Sequence, residues 1–233
     1  MTEFRKTVGI LGGMGPEATI EFMRRLVAAV PASDDAEHMR MLVDNNPKVP
    51  SRIKALIEGT GDDPAPVLAR MAKNLEAAGA DFLAMPCNTA HAYLRQIEAA
   101  VAIPVLDMIG LSIRALAERS PRAGAIGLLA SPAVRQTAIF AAPLSSEGFE
   151  TIAPSPEEEA TLLALIKSIK AGGRGPSEQA TLHEVAGSLA ARGAEALVIA
   201  CSEFSLLPKP RIEDRVVLDS LDVLVRATLN AAA

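Results

Sequence analysis

LEAAGADFLAMPCNT (75–89) and LAARGAEALVIACSE (189–203) are two copies of one pattern. They align without a gap at an offset of 114 (201 − 87) and share Leu75/Leu189, Ala77/Ala191, Gly79/Gly193, Ala80/Ala194, Leu83/Leu197 and Cys87/Cys201. In each copy a helical pattern stops at a glycine, a short apolar run follows, and the run ends at a cysteine. Short, continuous apolar runs bounded by turn signals read as strands buried on both faces, the kind found in parallel sheets. A second match, VGILGG (8–13) beside IGLLAS (126–131), lies at an offset of 118 (126 − 8) and in the same order. Helix–glycine–strand patterns recur across unrelated α/β chains. The argument for duplication therefore rests on both cysteines falling at the same point of the repeat.

Outward from these segments the chain keeps a βα rhythm. In the first half KTVGILGG reads as a strand and MGPEATIEFMRRLVAAV as a helix with Pro16 in its first turn. MRMLVDNN is a second apolar run, SRIKALIEG a short helix and PVLARMAKNLEAAG a longer one. ADFLAMP is a strand, CNTAHAYLRQIEAAV a helix and AIPVLDMI a strand. The second half begins after LSIRALAERSP. AGAIGLLAS and FETIAPSP read as strands, AVRQTAIFAAPLSSEG, EEEATLLALIKSIKAG and PSEQATLHEVAGSLAARG as helices. AEALVIA is a strand and VVLDSLDVLVRATLNAAA a terminal strand and helix. The expected fold is α/β, with two similar parallel-sheet domains related by pseudo-twofold symmetry and an active site in the cleft between them. The first domain is expected to take 1–103 plus 214–233, and the second 104–213.

Composition narrows the function. Of 233 residues 49% are apolar, enough for a sizeable core, but Trp is absent and Tyr occurs once. The net charge is −5 with no dense basic stripe, so neither the electrostatics nor the stacking surface for nucleic acid is present. The start MTEFRKTVGILGG has no long apolar leader pattern, and no apolar run approaches the ~18 residues of a membrane span. A soluble, cytoplasmic protein is expected. Its two cysteines then read as free thiols rather than a disulfide framework.

In parallel α/β sheets ligands bind beyond the carboxyl ends of the strands, where loops feed helix N-termini. Both cysteines sit at such points, and a helix N-terminus stabilises a thiolate and holds anions such as carboxylates. Two thiols confronting each other across a cleft suit inversion of a stereocentre beside a carboxylate. One removes the Cα proton while the other delivers a proton to the opposite face.

The residues GILGGMGPEAT (9–19), VDNNPKVPSR (43–52), MPCNTAH (85–91), IKAG (169–172) and GAEALVIACSE (193–203) carry a resemblance over essentially the whole chain. The sequence resembles the aspartate/glutamate racemase family, in its aspartate racemase branch. The resemblance implies a two-domain isomerase that works without pyridoxal phosphate or another cofactor, and a homodimer. By position, Cys87 and Cys201 match the two catalytic cysteines. Asn88, Thr89 and Ser202 match positions near the α-carboxylate, and Arg52 and Lys170 match the basic residues for the side-chain carboxylate. Met14 and Ser131 complete the implied substrate-binding set. An arginine fork and a lysine point charge are physically apt for a second carboxylate. This chain departs from the usual pattern at Ala200-Cys201-Ser202-Glu203, at Pro50-Ser51-Arg52-Ile53 and at Ala130-Ser131-Pro132-Ala133-Val134.

Other readings compete. Gly13-Met14-Gly15-Pro16-Glu17-Ala18 fits a dinucleotide pattern, although Pro16 removes a backbone donor. His91 lies four residues after Cys87, a spacing that suits a metal pair, a structural role in the first helical turn, or tuning of the thiolate. Glu17 sits in a first helical turn, Glu203 is open between capping and steering, and Glu157-Glu158-Glu159 suits a helix N-terminus. A diacid decarboxylase or isomerase working through a carbanion is the neighbouring enzymatic alternative. A redox or binding protein joined by a Cys87–Cys201 disulfide is the non-enzymatic one.

Overall fold

The computed structural model describes residues 4–120 and 124–233. Residues 1–3, in the expected start, and 121–123, at the expected break between halves, lie outside them. The chain forms two compact units, Met1–Met108 with Leu221–Ala233, and Ile109–Ser220.

In the first unit β1 (Val8–Gly12), β2 (Met41–Asn45) and β3 (Phe82–Ala84) form a parallel sheet in the order β2-β1-β3. Helices α1 (Pro16–Ala28) and α2 (Ala65–Ala77) connect them, and α3 (Leu94–Glu98) follows β3. The second unit holds α4 (Met108–Arg119, from Ile109 onward), β4 (Ala125–Ala130), α5 (Pro132–Gln136), α6 (Ala141–Ser146) and β5 (Glu150–Ile152). It continues with α7 (Pro156–Lys170), α8 (Pro176–Ala191), β6 (Ala196–Ala200) and β7 (Val216–Asp219). Its parallel sheet runs β5-β4-β6-β7. In both units the first strand is central and pairs with the second strand on one side and the cysteine-bearing strand on the other. The terminal helix α9 (Ser220–Ala232) returns the chain to the first unit.

The shared residues of the repeat do one mechanical job twice. Gly9 on β1 pairs with Leu83, and Gly127 on β4 pairs with Leu197. A Cβ on Gly9 would lie 2.6 Å from Leu83 Cδ2, 2.9 Å from Ala80 Cβ and 3.2 Å from Leu75 Cβ. A Cβ on Gly127 would meet the matching trio, Leu197, Ala194 and Leu189, the last two at 3.1 Å. The preceding helix can sit this close only because the central strand has no side chain there. Each helix then ends on a glycine in left-handed conformation, Gly79 at φ 94° and Gly193 at φ 101°. There the amides of Ala80 and Ala194 close on the carbonyls of Leu75 and Leu189, both at 3.0 Å. Helix end, glycine turn and strand entry are thus one rigid piece, and it sets where each cysteine emerges.

Several elements differ from expectation for identifiable reasons. The domain boundaries move from 103/104 and 213/214 to 108/109 and 220/221. β7 is bonded to β6 and so belongs to the second unit, while Leu83 exchanges hydrogen bonds with Pro104 and Leu106, both at 2.8 Å, which keeps that segment in the first. AIPVLDMI is not a full strand. It contributes a single bridge from Val105 to Leu83, beside Pro104, which has no amide to extend the ladder. AVRQTAIFAAPLSSEG breaks into α5 and α6, where Thr137 Oγ1 bonds the Ala133 carbonyl at 2.7 Å and Ala138 takes φ 52°. SRIKALIEG is a single wide π-turn over Lys54–Glu58.

Gly9→Ala is expected to destabilise the protein by about 1–3 kcal/mol through overpacking. Gly187→Ala, on α8 with no atom within 4 Å of the new methyl, is expected to stabilise it by up to about 1 kcal/mol. Denaturant unfolding midpoints check the opposite signs.

Candidate active site

The site residues divide between the units, and each group is set by strand ends. In the second unit Ala130 and Ala200 are paired in register, so Ser131 and Cys201 are the next residues past the carboxyl ends of neighbouring strands. Ser131 is the N-cap of α5, its hydroxyl accepting from the Val134 amide at 3.4 Å, with Pro132 as the first helical residue.

Cys201 is buried, and its thiol donates to Glu203 Oε2 at 3.1 Å. The other oxygen of Glu203 lies 3.2 Å from Lys170 Nζ. Lys170 is placed there by α7. Ser155 and Glu158 cap the start of that helix reciprocally, and Leu162, Leu165, Ile166 and Ile169 bury one stripe. The helix stops at Ala171 before Gly172, at φ 97°, leaving Lys170 as its last residue. The Cys201 thiol is held well above its usual pKa, first by burial and then by the negative charge and hydrogen bond of Glu203, with Lys170 partly opposing. The thiolate-stabilising helix N-terminus expected behind Cys201 is not there. The chain makes a turn and a short 3-10 segment, Phe204–Leu206, closed by Phe204 N bonding Cys201 O at 3.0 Å.

Cys87 is likewise buried, and an α-helix does not begin behind it either. A 3-10 segment, Thr89–Tyr93, precedes α3 because the Cys87 carbonyl is taken by a side chain. His91 Nδ1 lies 2.8 Å from that carbonyl, while the His91 amide turns to Asn88 O at 3.0 Å. His91 Nε2 accepts the Met108 amide at 3.1 Å, so Nδ1 carries the proton and the ring is neutral. Burial lowers its pKa, opposed by the Cys87 carbonyl and the Asp107 charge. With both nitrogens engaged, His91 is a strut between the cysteine turn and the neighbouring chain, the structural reading of the three. Among the described residues, no group of three or more His, Cys, Asp and Glu is placed to hold a metal.

Asn88 is buried beside Cys87, and Thr89 starts the 3-10 segment. Ser202 is buried beside Cys201. Met14 and Arg52 meet in the first unit, Arg52 Nη2 donating to the Met14 carbonyl at 3.4 Å and Nη1 to the carbonyls of Pro50 and Val49 at 3.0 and 3.4 Å. Three backbone carbonyls orient this guanidinium, and among the described residues no carboxylate pairs with it. Tyr93 lies within its field. Burial pushes the phenol up, Asp63 adds to this and Arg52 opposes it. Ser51, at the altered position before Arg52, accepts the Lys54 amide at 3.3 Å. The glycines of the dinucleotide-like pattern serve the loop itself. Gly13 N donates to Thr19 Oγ1 at 2.9 Å, and a Cβ on Gly13 would overlap the Asn46 backbone.

The duplication exposes relationships that reading motifs singly missed. His91 corresponds to Ser205 at the same offset of 114 (205 − 91). Asp107 corresponds to Asp219 at 112 (219 − 107), as the registers Leu83↔Val105 and Leu197↔Val217 require. Ser205 Oγ donates to Asp219 Oδ1 at 2.7 Å in the interior. In the second unit the polar side chain bonds its aspartate directly, whereas in the first Asp107 acts on His91 only through its charge. The two units differ at the position two residues after the cysteine, Thr89 in the first and Glu203 in the second.

A family model described as Asp/Glu/Hydantoin racemase matches residues 11–228. The broad specificity amino-acid racemase RacX of Bacillus subtilis is 27% identical over 230 residues, 96% of each chain. The aspartate racemase of Picrophilus torridus superimposes with a TM-score of 0.86 at 28% identity, over 97% of this chain and 94% of that one. The glutamate racemase of Francisella tularensis, solved with D-glutamate, shares the fold, with a TM-score of 0.65 at 16% identity over 97% of this chain and 80% of that one. No helix among the described residues is long and apolar enough to cross a membrane.

Removing the Glu203 charge should make the Cys201 thiolate easier to form, because a neighbouring anion disfavours it. In a Cys87→Ser background, Glu203→Gln is expected to move the thiolate absorbance titration of Cys201 to lower pH. An unchanged or higher midpoint contradicts the assigned cause.

Proposed function

The chain belongs to the Asp/Glu/hydantoin racemase family, and we propose that within it the chain is a cofactor-independent racemase of aspartate or a related acidic amino acid, with Cys87 and Cys201 as its two bases. The observation that supports this most is the equivalence of the cysteines. Each follows by four residues the strand leucine that pairs with the central-strand glycine, Leu83 to Cys87 and Leu197 to Cys201, and each is buried.

Inversion at Cα requires one group to take a proton and a second to give one from the other face. Cys201, held as a thiol beside Glu203, enters as the acid. Cys87 is the base in the direction that starts from this state, and the roles exchange in reverse. Asn88, Thr89 and Ser202 orient the α-carboxylate so that its charge and the reacting carbon stay in register with the thiols, and Met14 and Ser131 complete the substrate-binding set. Arg52, its guanidinium fixed by three carbonyls, and Lys170 select the second carboxylate. A lysine ammonium has three donors, and the bond to Glu203 uses one. A homodimer is the assembly that goes with this reading. The neighbouring carbanion chemistry, decarboxylation or isomerisation of a diacid, needs only one essential thiol.

Racemisation of L- and D-aspartate without added cofactor is expected for the intact protein. It should fall at least ~10³-fold in both Cys87→Ser and Cys201→Ser, since each removes an acid–base group. Alanine, lacking the second carboxylate, should turn over more slowly. Unimpaired racemisation in either single variant rules the two-base assignment out.

A further inference from the structure

Racemisation by two thiols leaves the protein altered. After one turnover the cysteine that began as thiolate is a thiol, and its partner is a thiolate. The next molecule of the same enantiomer then meets the wrong pair, so protons must be redistributed before each new turnover.

The second unit contains a path for this. Cys201 Sγ, buried, is 3.1 Å from Glu203 Oε2. Glu203 Oε1 is 3.2 Å from Lys170 Nζ, and the Lys170 side chain is 49% exposed. The three groups lead from the interior to solvent with no gap longer than a hydrogen bond or close ion pair. Among the described residues, the charged and titratable groups that act on Cys201 are Glu203 from its own turn and Lys170 from α7. The position matching Glu203 in the first unit is Thr89, so the duplicated unit carries an acidic residue here only once.

Building on the racemase reading, we infer that Glu203 and Lys170 form a proton relay that restores Cys201 to its thiol form between turnovers. Once Cys201 has given its proton to the carbanion, its thiolate stands beside the Glu203 carboxylate. Oε1 takes a proton from the Lys170 ammonium, and a half-turn of the carboxyl group about its Cγ–Cδ bond presents the new O–H to Sγ. The thiolate takes that proton, leaving the carboxylate, and the Lys170 amine is refilled from water. The net change is one solvent proton on Sγ, with Glu203 and Lys170 regenerated.

The same contacts would also serve as a plain ion pair tying the end of α7 to the cysteine turn, and kinetics separate the two roles. Redistribution occurs in the free protein. A relay that is cut therefore slows kcat at saturating substrate and drops out of kcat/KM at low substrate, where there is time to re-equilibrate. Glu203→Gln keeps the size and hydrogen bonding of the side chain but gives it no titratable proton. At the plateau of the pH profile, kcat for aspartate is expected to fall at least ~10-fold, with kcat/KM changed by less than about threefold, within the range of one lost acid–base group. Imidazole buffer should raise kcat of the variant and leave that of the unsubstituted protein unchanged. Glu203→Asp, which keeps a carboxylate on a shorter arm, should lie between the two and serves if the glutamine variant does not fold. Equal losses in kcat and kcat/KM without buffer rescue, or an unchanged kcat, overturn the relay while leaving the racemase reading intact. Absence of racemisation by the unsubstituted protein overturns both.

Discussion

Everything near the cysteines depends on a missing side chain. At Gly9 and Gly127 the central strand lets the preceding helix press its Leu-and-Ala face directly onto the backbone, and no other residue fits that gap. The close contact fixes the angle at which the helix meets the sheet and the glycine turn that reverses the chain. It also fixes the register of the cysteine-bearing strand, and hence the point at which the thiol leaves the sheet. A methyl group at either glycine would push on all of these at once.

From this common scaffold the two units diverge in polar detail. In the first, His91 is a neutral strut that takes the Cys87 carbonyl and the Met108 amide. In the second, the strut is a serine on an aspartate, and the charge lies nearer the sulfur, on Glu203. Duplication supplies two thiols in matching positions. Divergence at Thr89 and Glu203 gives them unequal surroundings, with a carboxylate beside the sulfur in the second unit alone.

The sequence is most legible where packing repeats. Leucine, alanine, glycine and cysteine at one spacing are visible because the same steric contact constrains both copies. It is least legible where side chains displace backbone bonding. CNTAHAYLRQIEAAV has helical periodicity, yet its first turn is 3-10 because the His91 ring takes the carbonyl that a helix would use. Glu203 stays ambiguous in one dimension because its partner Lys170 lies on a helix 33 residues earlier (203 − 170), and only the end of α7 brings them together. The Asp107–Asp219 correspondence is hidden for a smaller reason: the offset slips from 114 to 112 after the cysteine turn.

The central claim is that two separate groups, not one, exchange protons at Cα. The most direct measurement is the fate of deuterium at early times when L-aspartate is racemised in D₂O. Two bases predict deuterium at Cα of the D-product while recovered L-aspartate keeps its hydrogen, with the mirror result from D-aspartate. Deuterium appearing equally in substrate and product from the first turnovers would contradict the account, because a single base exchanging with solvent labels both.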